Sequence, residues 1–329
     1  MVNIVLDCMG GENSPKDLVK GVVLALNENE NINVILVGKD EKIVYELKKY
    51  KFDKNRVDII NANDVIEGND EPVKAMRMKK NSSLIVALNE IVNKNYDAIV
   101  STGNSGAFLA GCLFLVGRIK GVNRAALAPI INSENNKFIL LDAGANVDCK
   151  VIDFVQFAKI GSVYYKILFG EQNPIVKLLN IGVESNKGNF IVKKVYDELL
   201  NDKSINFKGN IEARYIMNDD VNVVVCDGFV GNIVLKTIEG TSKYIISKLK
   251  DDINKSFIYK IGKKIFFNSV KNKYDYQKYG GAIFLGVKKI CIKSHGNSNE
   301  IAIKNSIDMA YKLNSRDFIG VLEKNLFIK

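Results

Sequence analysis

The stretch Ala98-Ile99-Val100-Ser101-Thr102-Gly103-Asn104-Ser105-Gly106 joins a short apolar run to a turn of small and polar residues. A sequence compatible with a helix follows the turn. An uninterrupted apolar run is typical of a strand that is covered on both faces, as in a parallel sheet. The stretch therefore predicts a strand, a turn and a helix in succession.

The same arrangement recurs along most of the 329 residues. Strands that alternate with helices predict βαβ units, an α/β fold and a doubly wound, mainly parallel sheet. Ligands of such sheets bind beyond the carboxyl ends of the strands. We therefore expect the functional site among the turns that begin at Asp7, Gly38, Ser101, Asp142, Asn180, Cys226 and Lys293.

Composition narrows the class of protein. Apolar residues make up 47% of the chain and charged residues 26%, which is a globular balance. The longest uncharged apolar stretch, residues 107–117, is shorter than the roughly 18 residues that span a bilayer. The first residues show no secretory signal, and the five cysteines form no CxxC pair. We therefore expect a reduced, cytoplasmic protein with no metal site.

The net charge of +10 is concentrated in one segment. Residues 243–278 carry ten lysines, including Lys260 and Lys264, against three aspartates. Ile253, Phe257, Ile261 and Ile265 recur there every four residues, which predicts one apolar stripe on a protruding basic helix. Such a helix either packs its stripe into a core or a dimer partner, or lies on an anionic membrane.

Three glycine-rich turns are candidates for anion binding. Asn104, Ser105 and Gly106 open a predicted helix, whose backbone N–H groups and dipole favour a phosphate, although a tight turn with a helix N-cap explains them equally well. A second turn carries Lys187, and a third carries Asp227 and Asn232. None of the turns is a GxGxxG dinucleotide fingerprint or a P-loop.

Two further features combine a cation with a predicted turn. Arg77 lies just before Ser82 and offers the forked geometry that suits a phosphate, but a solvated surface charge is the simpler interpretation. His295, the only histidine, follows a predicted strand. It is either a functional group or a structural residue held by hydrogen bonds.

Taken together, the motifs resemble bacterial phosphate acyltransferase, the acyl-carrier-protein:phosphate transacylase of phospholipid synthesis. They occur in the order of that family over nearly the whole chain. The matching stretches are Asp7-Cys8-Met9-Gly10-Gly11, Glu71-Pro72-Val73-Lys74-Ala75-Met76-Arg77, Ser101-Thr102-Gly103-Asn104-Ser105-Gly106, Leu141-Asp142-Ala143-Gly144-Ala145-Asn146, Asn180-Ile181-Gly182 with Lys187-Gly188-Asn189, Cys226-Asp227-Gly228-Phe229-Val230-Gly231-Asn232, and His295-Gly296.

The resemblance implies one catalytic domain over residues 1–329, with a Rossmann-like fold akin to isopropylmalate dehydrogenase and phosphotransacetylase. It also implies a homodimer without a cofactor that moves a long-chain fatty acyl group from acyl carrier protein to inorganic phosphate. The product would serve a membrane acyltransferase acting on glycerol 3-phosphate. The enzyme would then be cytoplasmic and peripherally membrane-associated, and the lysines of residues 243–278 could also receive the acidic carrier protein.

Chemistry and the family pattern together suggest roles for these side chains. We hypothesise that Asn232 and His295 stabilise the oxyanion or the leaving group, and that Asp227 and Asp142 orient cations or accept a proton. The candidate catalytic residues are Lys187, which would also bind phosphate, Asn232, His295 and Asp227. The candidate phosphate and substrate contacts are Arg77, Ser82, Asn104, Ser105, Gly106, Asp142 and Asn146.

Three other functions are compatible with parts of the sequence. The nearest is a phosphotransacetylase-like enzyme that uses acyl-CoA, since only the acyl donor differs. A nicotinamide-dependent dehydrogenase shares the fold but is disfavoured by the missing fingerprint. A basic protein that binds nucleic acid is disfavoured because the chain has no tryptophan and its charge lies mainly in one helix.

Overall fold

The computed structural model describes residues 1–134, 136–254 and 280–326. Its strands are β1 Val2–Asp7, β2 Ile32–Gly38, β3 Val57–Asn61, β4 Ala98–Ser101, β5 Ala126–Ala128, β6 Ile130–Asn132, β7 Lys137–Leu141, β8 Ile175–Asn180, β9 Asn206–Glu212, β10 Val223–Val225, β11 Ala282–Leu285 and β12 Ile290–Lys293. Its α-helices are α1 Lys16–Glu28, α2 Asp40–Leu47, α3 Pro72–Met78, α4 Ser83–Asn93, α5 Ser105–Gly111, α6 Val151–Phe169, α7 Phe190–Asn201, α8 Gly228–Asn254, α9 Glu300–Ser315 and α10 Phe318–Leu326.

The first sheet has the strand order β3-β2-β1-β4-β12-β11-β5. Its strands from β3 to β12 are parallel, whereas β11 is antiparallel to both neighbours. The two faces of β1 are both covered: Leu6 packs in a core cluster with residues of α1 and α9, and Val5 packs in another with residues of α4. The uninterrupted apolar runs therefore arise for the predicted reason.

The second sheet has the order β6-β7-β10-β8-β9 and is parallel except for β6. The chain passes from the first sheet to the second at Pro129, between β5 and β6. Proline has no N–H to donate to a ladder, so it suits the point at which one strand ends and another begins. The predicted α/β fold with mainly parallel strands is confirmed, and its strands are shared between two sheets.

One hydrophobic core reaches both sheets. Ile4 of β1 and Val223 of β10 belong to the same cluster of buried residues, together with Ile160 and Tyr164 of α6. The structure thus has a continuous apolar interior between the sheets. The single domain over residues 1–329 stays a prediction, because that range includes residues outside the described ones.

The basic segment is described only in its first part. Residues 243–254 form the end of α8, which includes the backbone of Ile253. The remaining stripe and lysine positions, Phe257, Lys260, Ile261, Lys264 and Ile265, lie outside the described residues. Among the helices that are described, none is long and apolar enough to cross a bilayer.

Two isoleucines of α6 provide a matched test of the core. Ile160 is 1% exposed and Ile152 is 49% exposed. We expect Ile160→Ala to lower the free energy of unfolding by about 2–5 kcal/mol, because the change removes buried methyl groups and leaves a cavity. Ile152→Ala should cost about 1 kcal/mol or less. Urea denaturation followed by circular dichroism measures both, and equal losses would contradict the assigned packing of α6.

Candidate active site

A cleft of about 380 Å³ opens where the two sheets meet. Residues that follow the carboxyl ends of β4, β7 and β12 line it, as the fold class predicts for a ligand site. Helix α8 supplies a further wall. The polar lining residues are Ser105, Asn232, Lys236, Glu239, Lys293, Ser294, His295 and Ser298.

An apolar wall is formed by β5, β6, the proline between them and one residue of α8. Leu127, Pro129, Ile130, Ile131 and Leu235 line the cleft there. Apolar walls with a few convergent polar groups are typical of sites that bind organic substrates. The arrangement suits a substrate with one hydrocarbon part and one charged or polar part.

Three neighbouring strands end in a row of polar side chains. The register places Asp7 beside Ser101, and Ser101 beside Lys293, at the carboxyl ends of β1, β4 and β12. The Ser101 hydroxyl donates to Asp7 Oδ2 over 2.7 Å. Lys293 Nζ donates to the carbonyl oxygens of Thr102, at 3.3 Å, and of Ser294.

Burial shifts the pKa values of the two charged side chains in this row. Removal from water lowers the pKa of the Lys293 ammonium from 10.5 to about 8, while the negative charge of Asp7 acts in the opposite direction. Burial also raises the pKa of the Asp7 carboxyl, although hydrogen bonds from Ser83 and Ser101 oppose that rise. Each member of the pair therefore makes the charged form of the other less costly.

The second sheet contributes a turn that is organised by one carboxylate. Asp142 is fully buried, and its two oxygens accept five N–H groups at 2.7–3.2 Å. Four belong to Gly144, Ala145 and Asn146 in the same turn. The fifth is the backbone N–H of Leu127 in β5, so this carboxylate also joins the two sheets.

The turn also fixes the start of α8. The carbonyl oxygen of Asn146 accepts from the Gly228 N–H at 2.7 Å, and Asp227 Oδ1 accepts from the Val230 N–H at 2.8 Å. A side chain at Gly231 would collide with the Asp142 carbonyl oxygen. This close approach brings Asn232 against Gly144 at the cleft wall.

Of the residues predicted from sequence, the structure brings Ser105, Asn232 and His295 together in the cleft. Asp142, Asn146 and Asp227 hold the adjoining turns. The Asn146 amide donates to Asp142 and to the Ala125 carbonyl oxygen. These hydrogen bonds hold the turn in place. Burial raises the pKa of the Asp142 carboxyl, and its N–H partners oppose that rise.

The turn before α5 is mainly structural. Asn104 is the N-cap of α5, since its side-chain oxygen accepts from the Ala107 N–H at 3.0 Å. Its amide nitrogen donates to the carbonyl oxygens of Glu67, Gly68 and Asp70. Gly106 packs against Pro72, where an added Cβ would lie 2.6 Å from the ring. The N-cap interpretation is therefore confirmed for Asn104.

The remaining predicted residues do not line the cleft. Arg77 on α3 and Lys187 before α7 are exposed. Ser82 is fully buried ahead of α4, and its hydroxyl has no partner in the described part of the chain. Sequence reasoning missed Asp7 and Lys293 as site residues. Their signal was positional, because each is the first residue of a predicted glycine-containing turn that follows a strand.

The cysteines do not supply a nucleophile. All five are free and buried. Burial raises the pKa of the thiols of Cys8, Cys112 and Cys226, and it raises that of Cys149 to about 12. Because the thiolate is the reactive form, burial makes the thiols of these four residues poor nucleophiles. Over the described ranges, no group of three His, Cys, Asp or Glu side chains could hold a metal ion.

Comparison with known proteins shows the family of the chain. The model of a family described as "Fatty acid synthesis protein" matches residues 2–320. Phosphate acyltransferase of Clostridium novyi (strain NT) is 46% identical over 328 residues, which cover 99% of this chain and 98% of that protein. The chain belongs to the phosphate acyltransferase family. Phosphate acyltransferase of Clostridium tetani (strain Massachusetts / E88) is 43% identical over 328 residues, covering 99% and 98% of the two chains.

Membership of this family confirms the predicted class of enzyme, an acyltransferase of lipid biosynthesis. Solved structures confirm the predicted phosphotransacetylase-like fold. A phosphotransacetylase from Streptococcus pyogenes aligns with a TM-score of 0.61 at 17% identity, over 95% of this chain and 94% of that one. A branched-chain phosphotransacylase from Enterococcus faecalis V583 gives 0.60 at 14% identity, over 95% and 98%.

The Asp142 turn can be tested with two aspartates that lie six residues apart. Asp142→Asn replaces one accepting oxygen by an amide that faces N–H donors. We expect the free energy of unfolding to fall by at least about 2 kcal/mol, because hydrogen bonds to charged groups contribute about 1.5–3 kcal/mol. The control Asp148→Asn alters an exposed carboxylate of the following loop and should change it by about 0.5 kcal/mol at most. Urea denaturation measures both, and a stable Asp142→Asn variant would show that the turn does not need the charge.

Proposed function

We propose that the enzyme transfers a long-chain fatty acyl group from acyl carrier protein to inorganic phosphate in the cleft between the sheets. The product, an acyl phosphate, would serve phospholipid synthesis. The observation that carries this proposal is one cleft that combines an apolar wall with the polar groups of Asn232, His295 and Lys293. An acyl chain suits the apolar wall, and a thioester with a phosphate suits the polar groups.

The proposed reaction needs no covalent intermediate on the enzyme. A hydrogenphosphate oxygen attacks the thioester carbon, a C–O bond forms, and the C–S bond breaks. The proton lost by hydrogenphosphate is taken up by the departing thiolate, so the equation balances without another reactant. The inert cysteines support this direct route, since Cys149 and Cys226 near the cleft wall are held as thiols.

We assign Asn232 and His295 to the oxyanion and the leaving sulfur. Both line the cleft, and both side chains include N–H donors. One well-placed donor to an oxyanion is worth about 3 kcal/mol of barrier. Ser105 is a candidate contact to the same substrate, whereas Asn104, Gly106, Asn146, Asp142 and Asp227 are proposed to position the turns around it.

Arg77 and Lys187 stay candidate phosphate contacts outside the cleft lining. Both are exposed, and neither has an ion-pair partner among the residues that the structure describes. Ser82 stays a candidate only through its unpartnered hydroxyl. The alternative acyl donor is acyl-CoA, because phosphotransacetylases share the fold.

The donor is identified by supplying each thioester separately. With labelled inorganic phosphate, we expect palmitoyl-acyl carrier protein to give acyl phosphate at least about tenfold faster than palmitoyl-CoA at equal concentration, because a protein donor offers additional contacts to the enzyme. An equal or faster rate with palmitoyl-CoA would replace the carrier-protein proposal by the acyl-CoA alternative.

The same assay tests the role of His295 with the variant His295→Ala. Loss of one charge-assisted or oxyanion contact should lower acyl-phosphate formation at least about tenfold, equivalent to 1.4 kcal/mol of barrier. The circular dichroism and unfolding midpoint should stay close to those of the wild type. A folded His295→Ala enzyme with the wild-type rate would remove His295 from the reaction.

We propose that residues 243–278 bring a homodimeric, cytoplasmic enzyme to an anionic membrane, close to the membrane acyltransferase that consumes its product. The net charge of +7 and the stripe Ile253, Phe257, Ile261 and Ile265 support this role, since cations and apolar side chains on one helix favour such surfaces. The same lysines are the proposed surface for acyl carrier protein. This proposal rests on sequence, because most of the stripe lies outside the described residues.

Sedimentation with anionic liposomes tests the membrane role. Ile261→Glu places a charge in the stripe and should reduce binding at least about fivefold, since it removes apolar contact and adds a charge that anionic lipid repels. The control Ile152→Glu adds the same charge to an exposed position of α6 and should bind as the wild type. Equal binding of all three proteins would exclude the stripe as the membrane contact.

A further inference from the structure

A buried lysine at the base of the cleft has no role in the mechanism so far. Lys293 is 9% exposed, and it ends β12 in the same register row as Ser101 and Asp7. Lysine is almost never buried unless it is paired or used. Here its partner charge is Asp7, which lies two strands away on β1.

The Lys293 ammonium retains a donor. An ammonium group has three N–H bonds, and within the described ranges two carbonyl oxygens, of Thr102 and Ser294, accept from it. A second donor is also unused nearby. Ser298 is 1% exposed and lines the cleft, and its hydroxyl has no partner in the part of the chain that the structure describes. Buried polar groups are usually paired, so such groups beside a cleft indicate a ligand.

We propose that Lys293 is the cation that binds the acceptor phosphate in the cleft, with Ser298 as a hydroxyl contact and Asp7 as the positioning residue of Lys293. The inference rests on the proposed placement of the reaction in this cleft. It adds the binding site of the nucleophile. Phosphate held there lies on the same lining as Asn232 and His295, the groups assigned to the thioester.

Of the two charged residues Asp7 and Lys293, only Lys293 lines the cleft, so an anion there meets the cation. The charges of Asp7 and Lys293 balance each other, so a bound phosphate adds net negative charge to the cleft. On α9, the charged groups near this end are already paired, since Glu300 binds Lys20 and Lys304 binds Glu28 and Asp308. The other titratable groups of the cleft lining are His295, Lys236 and Glu239.

The ionisation of Lys293 gives the proposal a measurable signature. In the free enzyme its pKa is about 8, because burial opposes the charge. Only the ammonium form attracts the phosphate dianion. As pH rises through about 8, the competent fraction falls, and the KM for phosphate should rise towards tenfold per pH unit. Inorganic phosphate is mainly the dianion over this range, and its dianion fraction rises by less than about twofold, in the direction opposite to the expected loss of binding.

The test measures the KM for inorganic phosphate between pH 7.5 and 9.5, with whichever donor, acyl carrier protein or CoA thioester, supports activity. Lys293→Met should raise that KM at least about tenfold at pH 7.5 and abolish its dependence on pH, because the cation is gone. Lys293→Arg keeps a charge that does not titrate below pH 12, so any binding that it restores should be independent of pH.

Asp7→Asn separates positioning from binding. Removal of the negative charge lowers the pKa of Lys293 further, so the rise in phosphate KM should begin at a lower pH than in the wild type. A merely structural role for Asp7 would change stability or kcat without moving the position of that rise. The similar size of asparagine keeps the row packed, and unfolding midpoints verify that each variant is folded.

The control is Lys289→Met, at the residue that precedes the same strand. Lys289 donates to Asn95 and does not line the cleft. Its phosphate KM and pH dependence should match the wild type. A wild-type phosphate KM in folded Lys293→Met, or a wild-type KM that stays flat from pH 7.5 to 9.5, would overturn the proposal. The identity of the acyl donor does not enter either outcome, so a failed donor proposal is recognised separately.

Discussion

The carboxylate of Asp142 is the contact on which the cleft depends. It accepts from Leu127 in β5 of the first sheet and from three residues of its own turn in the second. A buried carboxylate is costly unless its oxygens are fully used. Five N–H donors meet that requirement, and the one from Leu127 also joins the two sheets. The same turn also holds the start of α8, through the hydrogen bond from the Gly228 N–H to the Asn146 carbonyl oxygen.

The first sheet also buries charged groups, and there each charge is offset by one of opposite sign. Asp7 and Lys293 are separated in sequence by nearly the whole chain, yet the parallel register of β1, β4 and β12 sets them in one row with Ser101 between them. A buried pair of this kind contributes little net stability, since desolvation offsets most of the attraction. Its retention at the base of a cleft therefore suggests a role in binding, where a neutral pair can receive a further anion.

The sequence predicted the class of fold, because uninterrupted apolar runs and small-residue turns report strands buried on both faces. It also placed Asn232, His295 and Ser105 at the cleft, since each follows a strand end. The sequence could not distinguish residues that hold a turn together from residues of the same turn that contact a substrate. Asn104 and Asp142 have side chains suited to substrate binding, but local N–H groups and carbonyl oxygens occupy them. Lys293 was missed because lysine is usually solvated, and only the register reveals its partner.

The division of the strands into two sheets explains why this scaffold suits acyl transfer to phosphate. The edge of one sheet offers a rim of polar turns, but a fatty acyl group also needs an apolar surface. The strands on both sides of Pro129 provide it, because Leu127 of β5 and Ile130 and Ile131 of β6 line the cleft. Phosphate and thioester can then meet where the two surfaces adjoin. With all five cysteines buried, attack by phosphate itself is the route that this geometry supports.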